Sequence, residues 1–230
     1  MHKIYATIYR DFKEYLANYS VFILFLMPLG MALIYRMIGQ DAGETIPNIM
    51  VFIIIGTVLA AVTTNVPLML FADEIEHGMI RMVVKDKKDL CLMIIGRSAL
   101  VIIMSALLII VSLVIIDRID MLSLSLSLGL FLAMLAFLGL GILFGIRSKL
   151  ETTSAVAGVI IMFLLGMTPI VESMGLTNVS FIRFLADITP VYQLMALQNN
   201  ASVMPIVTLL IWLGIIGFLV YRSLEIDEKN

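Results

Sequence analysis

The sequence predicts an all-α integral membrane protein with six transmembrane helices, and three observations predict it. Hydrophobic residues make up 61% of the 230 residues and charged residues only 14%, whereas a soluble domain carries about 45–50% and about 25%. Mean hydropathy is +1.09, and a core of this size cannot hide that excess. Low charge and high hydrophobicity also exclude a disordered chain. Next, six stretches almost free of charge occur at 21–38, 47–71, 91–116, 121–146, 152–171 and 201–221. About 20 apolar residues cross a bilayer as a helix, and a β-barrel would need the alternating pattern that is missing here. Finally, Lys and Arg are unevenly divided between the loops. With the N-terminus in the cytoplasm, Lys3, Arg10, Lys13, Arg81, Lys85, Lys87, Lys88, Arg97, Arg147, Lys149, Arg222 and Lys229 fall inside. Only Arg36, Arg118 and Arg183 fall outside. The positive-inside bias therefore places both termini of a multi-pass chain in the cytoplasm of the cell membrane.

The segment 1–19 precedes the first span. Ile4, Tyr5, Ile8, Tyr9, Phe12, Tyr15, Leu16 and Tyr19 recur at spacings of three and four, which is one face of a helix. Lys3, Arg10, Asp11, Lys13 and Glu14 lie on other faces. Such a helix rests in the cytoplasmic interface with its tyrosines at headgroup depth. It serves either as a simple surface anchor or as a lever against a cytoplasmic partner. The 20 residues before the first span are too long for the charged region of a signal peptide, so that span is expected to be retained.

Arg36 and Arg97 are the only charged residues inside the six stretches. Both lie near an end and are expected to snorkel to the headgroups. Thr63, Thr64 and Asn65 are polar residues within the second span, ahead of Pro67. Thr hydroxyls readily bond their own backbone, while an Asn amide is harder to hide and is a candidate for a translocation path. Pro28 and Pro169 interrupt two other spans. Gly141 and Gly145 form a G-x-x-x-G pair, and Ser154 and Gly158 are also four apart, spacings that let helices pack closely.

The loop 72–90 is the most polar part of the chain. Asp73, Glu74 and Glu76 come first, then Gly78, which can end the second span and turn the chain. Met79, Ile80, Met82 and Val83 follow around Arg81, and a charged run closes the loop. Exposed apolar groups rimmed by charge fit a docking surface; a membrane-resting loop fits as well. The segment 172–200 carries only Glu172, Arg183 and Asp187 as charges. Its apolar groups around Phe181 and Tyr192 are each too short to span. Thr189-Pro190 reads as the start of a helix. A re-entrant helix pair at the outer leaflet fits these features.

Several chemistries are excluded. Net charge is −2, so there is no basic field for nucleic acid. The single Cys91 and the well-separated His2 and His77 leave no metal site. No G-x-x-x-x-G-K-[ST] loop, H-E-x-x-H or G-x-S-x-G motif occurs. No Asp or Glu sits mid-span for ion coupling. No catalytic residue and no cofactor of its own is expected in this chain.

In this order along the chain, the features resemble the permease subunit of an ABC-2 type ABC transporter over nearly the whole length, 1–230, as a single transmembrane domain. The most specific match is Glu74-x-Glu76-x-Gly78 after the second span, where the family has an E-x-E-x-G segment leading into a coupling helix. Gly96-Arg97 stands where the family has a Gly-Lys or similar pair. Met79 replaces the family's common Thr, and the common Pro of the following loop is missing. The resemblance implies a connecting helix in 1–19, with Tyr5, Tyr9, Arg10, Phe12 and Lys13 near a separate ATPase subunit. It implies docking on that ATPase by Glu74, Glu76, Gly78, Met79, Ile80, Arg81, Met82 and Val83. Glu74 and Glu76 would pair with Arg81 or with the connecting helix. ATP and Mg would be held by the partner ATPase, and a second permease copy or a related permease would complete the pathway. The implied function is export of an amphipathic or hydrophobic cargo, an antimicrobial or toxic peptide or a drug, with Asn65, Phe181 and Tyr192 as pathway candidates. The alternative is a non-transporting membrane module that senses or sequesters an antimicrobial peptide.

Overall fold

The computed structural model describes residues 12–13, 15, 18–42, 45–78, 87–148, 150–199 and 203–226. Among these residues every regular element is helical. α1 spans Tyr19–Ala42. Asn18 caps it, its side-chain oxygen accepting from the backbone of Ser20 and Val21. α2 runs Asn48–Glu76 without a break, but its centre, Val58–Thr64, is wound as π-helix. α3 is Lys87–Ile115 and α4 is Leu124–Arg147, the latter capped by Ser123, which accepts from Leu126 N–H at 3.2 Å. α5 begins as Glu151–Ile161 and continues as π-helix through Met162–Gly166. Three short helices follow: α6, Thr168–Ser173; α7, Ser180–Ile188; α8, Pro190–Asn199. α9, Met204–Ile226, closes the described chain.

Five of these helices are long and apolar enough to cross a membrane: Tyr19–Gln40, Asn48–Glu76, Leu92–Ile115, Leu124–Arg147 and Met204–Ser223. The protein is thus a helical membrane protein with five candidate spans. The remaining stretch expected from the sequence, 152–171, is divided. Its helix stops at Gly166, so Thr152–Gly166 is about 22 Å long against a hydrocarbon core of about 30 Å. Pro169 is the physical reason, because it has no N–H for the Leu165 carbonyl and its ring crowds that carbonyl. The Thr168 hydroxyl takes over, lying 3.4 Å from the Leu165 oxygen. Pro28, by contrast, does not interrupt α1.

α2 is the axis of the bundle. Of its most apolar window 89% is buried inside the protein, against 17% for α1 and for α9. α1, α3, α4, α5, α6 and α8 all pack on it, and α9 joins through α4 and α8. Glycines set how close those helices come. A Cβ on Gly56 of α2 would collide with the carbonyl of Gly166 on α5. Likewise a Cβ on Gly141 of α4 would meet the Thr64 carbonyl, and one on Gly145 would lie 3.0 Å from the Leu68 oxygen. The G-x-x-x-G pair is therefore the contact of α4 with the central helix. In a medium as apolar as the side chains, such close backbone packing replaces the hydrophobic effect as the cohesive term.

These contacts fix a contrast between glycines. Gly56→Ala should destabilise the protein by about 1–3 kcal/mol through overpacking against backbone. Gly214→Ala, with nothing within 4 Å of the added Cβ, should be neutral or stabilising by up to about 1 kcal/mol. Thermal unfolding of both variants in one detergent checks the ordering, and equal effects would sink the backbone-contact account.

Candidate functional site

The last turn of α2 carries Phe71 and Glu74 three residues apart, hence on one face. α3 carries Arg97 opposite them. The Arg97 guanidinium donates from one terminal nitrogen to Glu74 Oε2 at 3.0 Å and from the other to Oε1 at 2.9 Å. Its carbon lies 4.6 Å from the centre of the Phe71 ring. Both residues are buried, Arg97 at 1% exposure and Glu74 at 4%. Arg97 therefore does not snorkel to the headgroups as its sequence position predicts. Its charge is met inside by a carboxylate and an aromatic face, and that bidentate geometry is what makes burial of the charge tolerable. Glu74 turns to Arg97 across the helix pair; Arg81, its expected partner, lies outside the described residues.

Past Glu74 the helix ends. His77 N–H bonds the Asp73 carbonyl and Gly78 N–H the Ile75 carbonyl. Gly78 takes φ +67°, the left-handed conformation that closes a helix C-terminus. His77 Nδ1 lies 3.0 Å from the Asp73 carbonyl and 3.0 Å from its carboxylate. That carbonyl, then the Asp73 charge, with Glu76 adding, raises the His77 pKa above its ordinary value of 6.5.

Along α2 toward the other end comes a buried polar group. Thr63 donates to Ser105 Oγ of α3 at 2.8 Å, and Thr64 to the Phe137 carbonyl of α4 at 2.9 Å. Each hydroxyl also lies within 3.5 Å of the carbonyl five residues back, at Val58 and Leu59. The own-backbone bonding read from the sequence is there, and the shorter bond in each case reaches a neighbouring helix. Asn65 is 8% exposed, and its amide oxygen has no hydrogen-bond partner. It abuts Gly158 of α5, where a Cβ would collide with that oxygen.

At α7 and α8 the chain reverses, and side chains satisfy the carbonyls left open by the end of α7. Trp212 of α9 donates to the Ile188 carbonyl at 2.8 Å, and Gln193 donates to Asp187. Thr189 donates to Ala186 at 2.8 Å and its hydroxyl lies 3.2 Å from that of Thr168. Neither Trp212 nor Gln193 stands out in the sequence. Gln193 has the signal of a polar donor a few residues past an apolar helix reversal; Trp212, 24 positions away, has none.

Other expected site residues are more scattered. Phe181 is exposed on α7, and Tyr192 is half-buried on α8. Val191, beside Tyr192, packs at Gly56, nine residues before Asn65. That is more than two helical turns along α2, so Asn65 lies apart from the point where α8 meets α2. Phe12 and Lys13 are exposed. Tyr5, Tyr9, Arg10, Met79, Ile80, Arg81, Met82 and Val83 lie outside the described residues. Among the described residues no group of three or more His, Cys, Asp and Glu is placed to hold a metal. The chain matches no protein-family model, no curated protein and no solved structure.

Two predictions follow from this end of α2. Glu74→Ala should cost about 3–5 kcal/mol by leaving a buried guanidinium uncompensated, while Glu74→Leu combined with Arg97→Leu should recover much of it. Additive losses across a double-mutant cycle would show that the two residues act separately. Because the His77 pKa is raised, its contribution to stability is fully present below 6.5 and is lost as pH rises through the higher folded value. In a histidine NMR titration, His77→Ala should remove a resonance titrating above 6.5, and Asp73→Asn should lower that midpoint in the unsubstituted His77 protein.

Proposed function

We propose that this chain is the permease subunit of an ABC-2 type transporter, crossing the cell membrane six times and exporting an amphipathic or hydrophobic cargo. The observation that carries the reading is the Glu74–Arg97 pair. It ties the last turn of α2 to α3 at a point ten residues into α3, bridging the two helices that flank the loop 77–86. A force applied to that loop then moves both helices as one body, which is what a coupling segment requires. The docking groups would be Met79, Ile80, Met82 and Val83, with Glu74 acting behind them as a brace rather than touching the ATPase.

The outer end supports a six-span layout with a re-entrant pair. Trp212, which holds the end of α7, is eight residues into α9, and Gly56, which meets Val191, is eight residues into α2. Both put the turn at Thr189-Pro190 about 12 Å below the start of those spans. Irregular backbone at that depth needs internal donors, and Trp212, Gln193 and Thr189 supply them. α5 with α6 then counts as the divided fifth span and α9 as the sixth. The Lys and Arg bias puts Glu74 and both termini on the cytoplasmic side. Two permeases would form the pathway, and a separate ATPase holding ATP and Mg would drive the switch. The chain itself would carry no catalysis.

The test is a mild-detergent pull-down of the tagged chain from its native membrane. A P-loop ATPase should come with it in equal amount and hydrolyse ATP. Met79→Asp and Ile80→Asp should cut that recovery severalfold without reducing membrane insertion. A preparation free of ATPase even after crosslinking would overturn the transporter reading, and recovery unchanged by both substitutions would overturn the docking assignment.

A further inference from the structure

At the end of the bundle opposite Glu74 and Arg97 lies a cleft of about 360 Å³ between the end of α1, the start of α2 and the end of α3. This lies within the range of small-ligand sites, about 300–1,000 Å³. Arg36, Gln40, Thr45, Ile46, Asp117 and Arg118 line it. Two arginines 82 positions apart in the sequence meet there, and each is held by a carbonyl of a neighbouring element. Arg36 donates to the Ile115 carbonyl at 2.9 Å. Arg118 donates to the Ile46 carbonyl and to the Asn48 side chain. The only carboxylate paired with either among the described residues is Asp120, 3.9 Å from Arg118 and exposed. A guanidinium has five N–H donors, so Arg36, with one in use, has several left for a ligand.

We propose that this cleft binds the phosphodiester of a lipid headgroup. Depth favours that source. Arg36 is four residues before the end of the span Tyr19–Gln40 and Arg118 three residues past the span Leu92–Ile115. The cleft therefore sits where bilayer phosphates lie, whichever leaflet faces it. Asp117 lines the cleft with the two arginines. Asp117 and Asp120 together offset the two arginines in formal charge, so a diester would be held by directed guanidinium donors rather than by net charge, and a free phosphate dianion would meet the greater carboxylate repulsion. Fork-shaped guanidinium groups match phosphate oxygens in pairs.

The full chain, delipidated in detergent, would be titrated with phosphatidylglycerol, with diacylglycerol of the same chains, and with inorganic phosphate, reading thermal stability and lipid retention in native mass spectra. Phosphatidylglycerol should bind and stabilise; diacylglycerol and phosphate should not. Arg36→Gln should weaken the lipid about tenfold, and Arg36→Gln with Arg118→Gln should abolish its effect. Arg118 also braces Ile46 and Asn48, so Arg36→Gln alone decides the matter if the double variant does not fold. Lipid binding unchanged by Arg36→Gln would overturn the site. Displacement of the lipid by inorganic phosphate at similar concentration would overturn the lipid as its occupant.

Discussion

Everything in this fold is arranged around a helix that neighbours must touch at the backbone. α2 is buried on nearly all sides, and side chains on both partners would hold those neighbours too far away. Gly56 against Gly166, and Gly141 and Gly145 against the backbone near Thr64 and Leu68, remove that spacing. Close approach multiplies dispersion contacts, each small alone. It also brings polar backbone and hydroxyl groups within reach of one another, which matters where no water is present to satisfy them. The peripheral helices α1 and α9 carry large apolar residues on their exposed faces, such as Ile34 and Phe218. Lipid solvates those faces, so α1 and α9 need less contact with the rest of the protein.

The π-helical centre of α2 follows from the same constraint. A π turn widens the helix and leaves its carbonyls differently aimed. Thr63 and Thr64 take up this change by donating across to α3 and α4 while each hydroxyl stays within 3.5 Å of a carbonyl of its own helix. Thr64 therefore joins the wide turn to α4 twice, its hydroxyl donating to Phe137 and its own carbonyl facing Gly141. Asn65 comes immediately after, and its amide oxygen is left facing Gly158 without a donor. A buried orphan acceptor costs roughly 1–3 kcal/mol. It sits at the end of the π segment, between the central helix and the divided α5.

The spans were legible because exclusion of charge is a coarse, additive signal, and five of six runs became long helices. The G-x-x-x-G pair was legible because close packing needs a missing Cβ, which a sequence shows directly. What the sequence could not show is which side chain faces which across two helices. Arg97 looks like a snorkelling residue from its distance to a span end, and only the facing Phe71 and Glu74 reverse that reading. Trp212 and Ile188 are 24 positions apart, so nothing local announces their bond. Pro169 announces a disturbance of α5, but not that Thr168 would pick up the Leu165 carbonyl and let the chain break at Met167. Pro28 carries the same local signal and leaves α1 intact.

The same two helices, α2 and α3, are joined at both ends by arginines, and the surroundings make the two joints different. Arg97 is sealed from solvent and faces a carboxylate with both oxygens engaged. Its hydrogen-bonding capacity is used in holding geometry, and any loosening would leave a charge in an apolar medium. Arg118, with Arg36, is tied to backbone carbonyls and a neutral amide beside an open cleft. Neutral partners fix the position of these guanidinium groups, and with Asp117 in the lining and the exposed Asp120 3.9 Å from Arg118, the cleft offers directed N–H donors rather than a large net charge. Toward one end of the helix pair there is thus a closed, charge-compensated joint, and at the other the guanidinium donors border an open cleft.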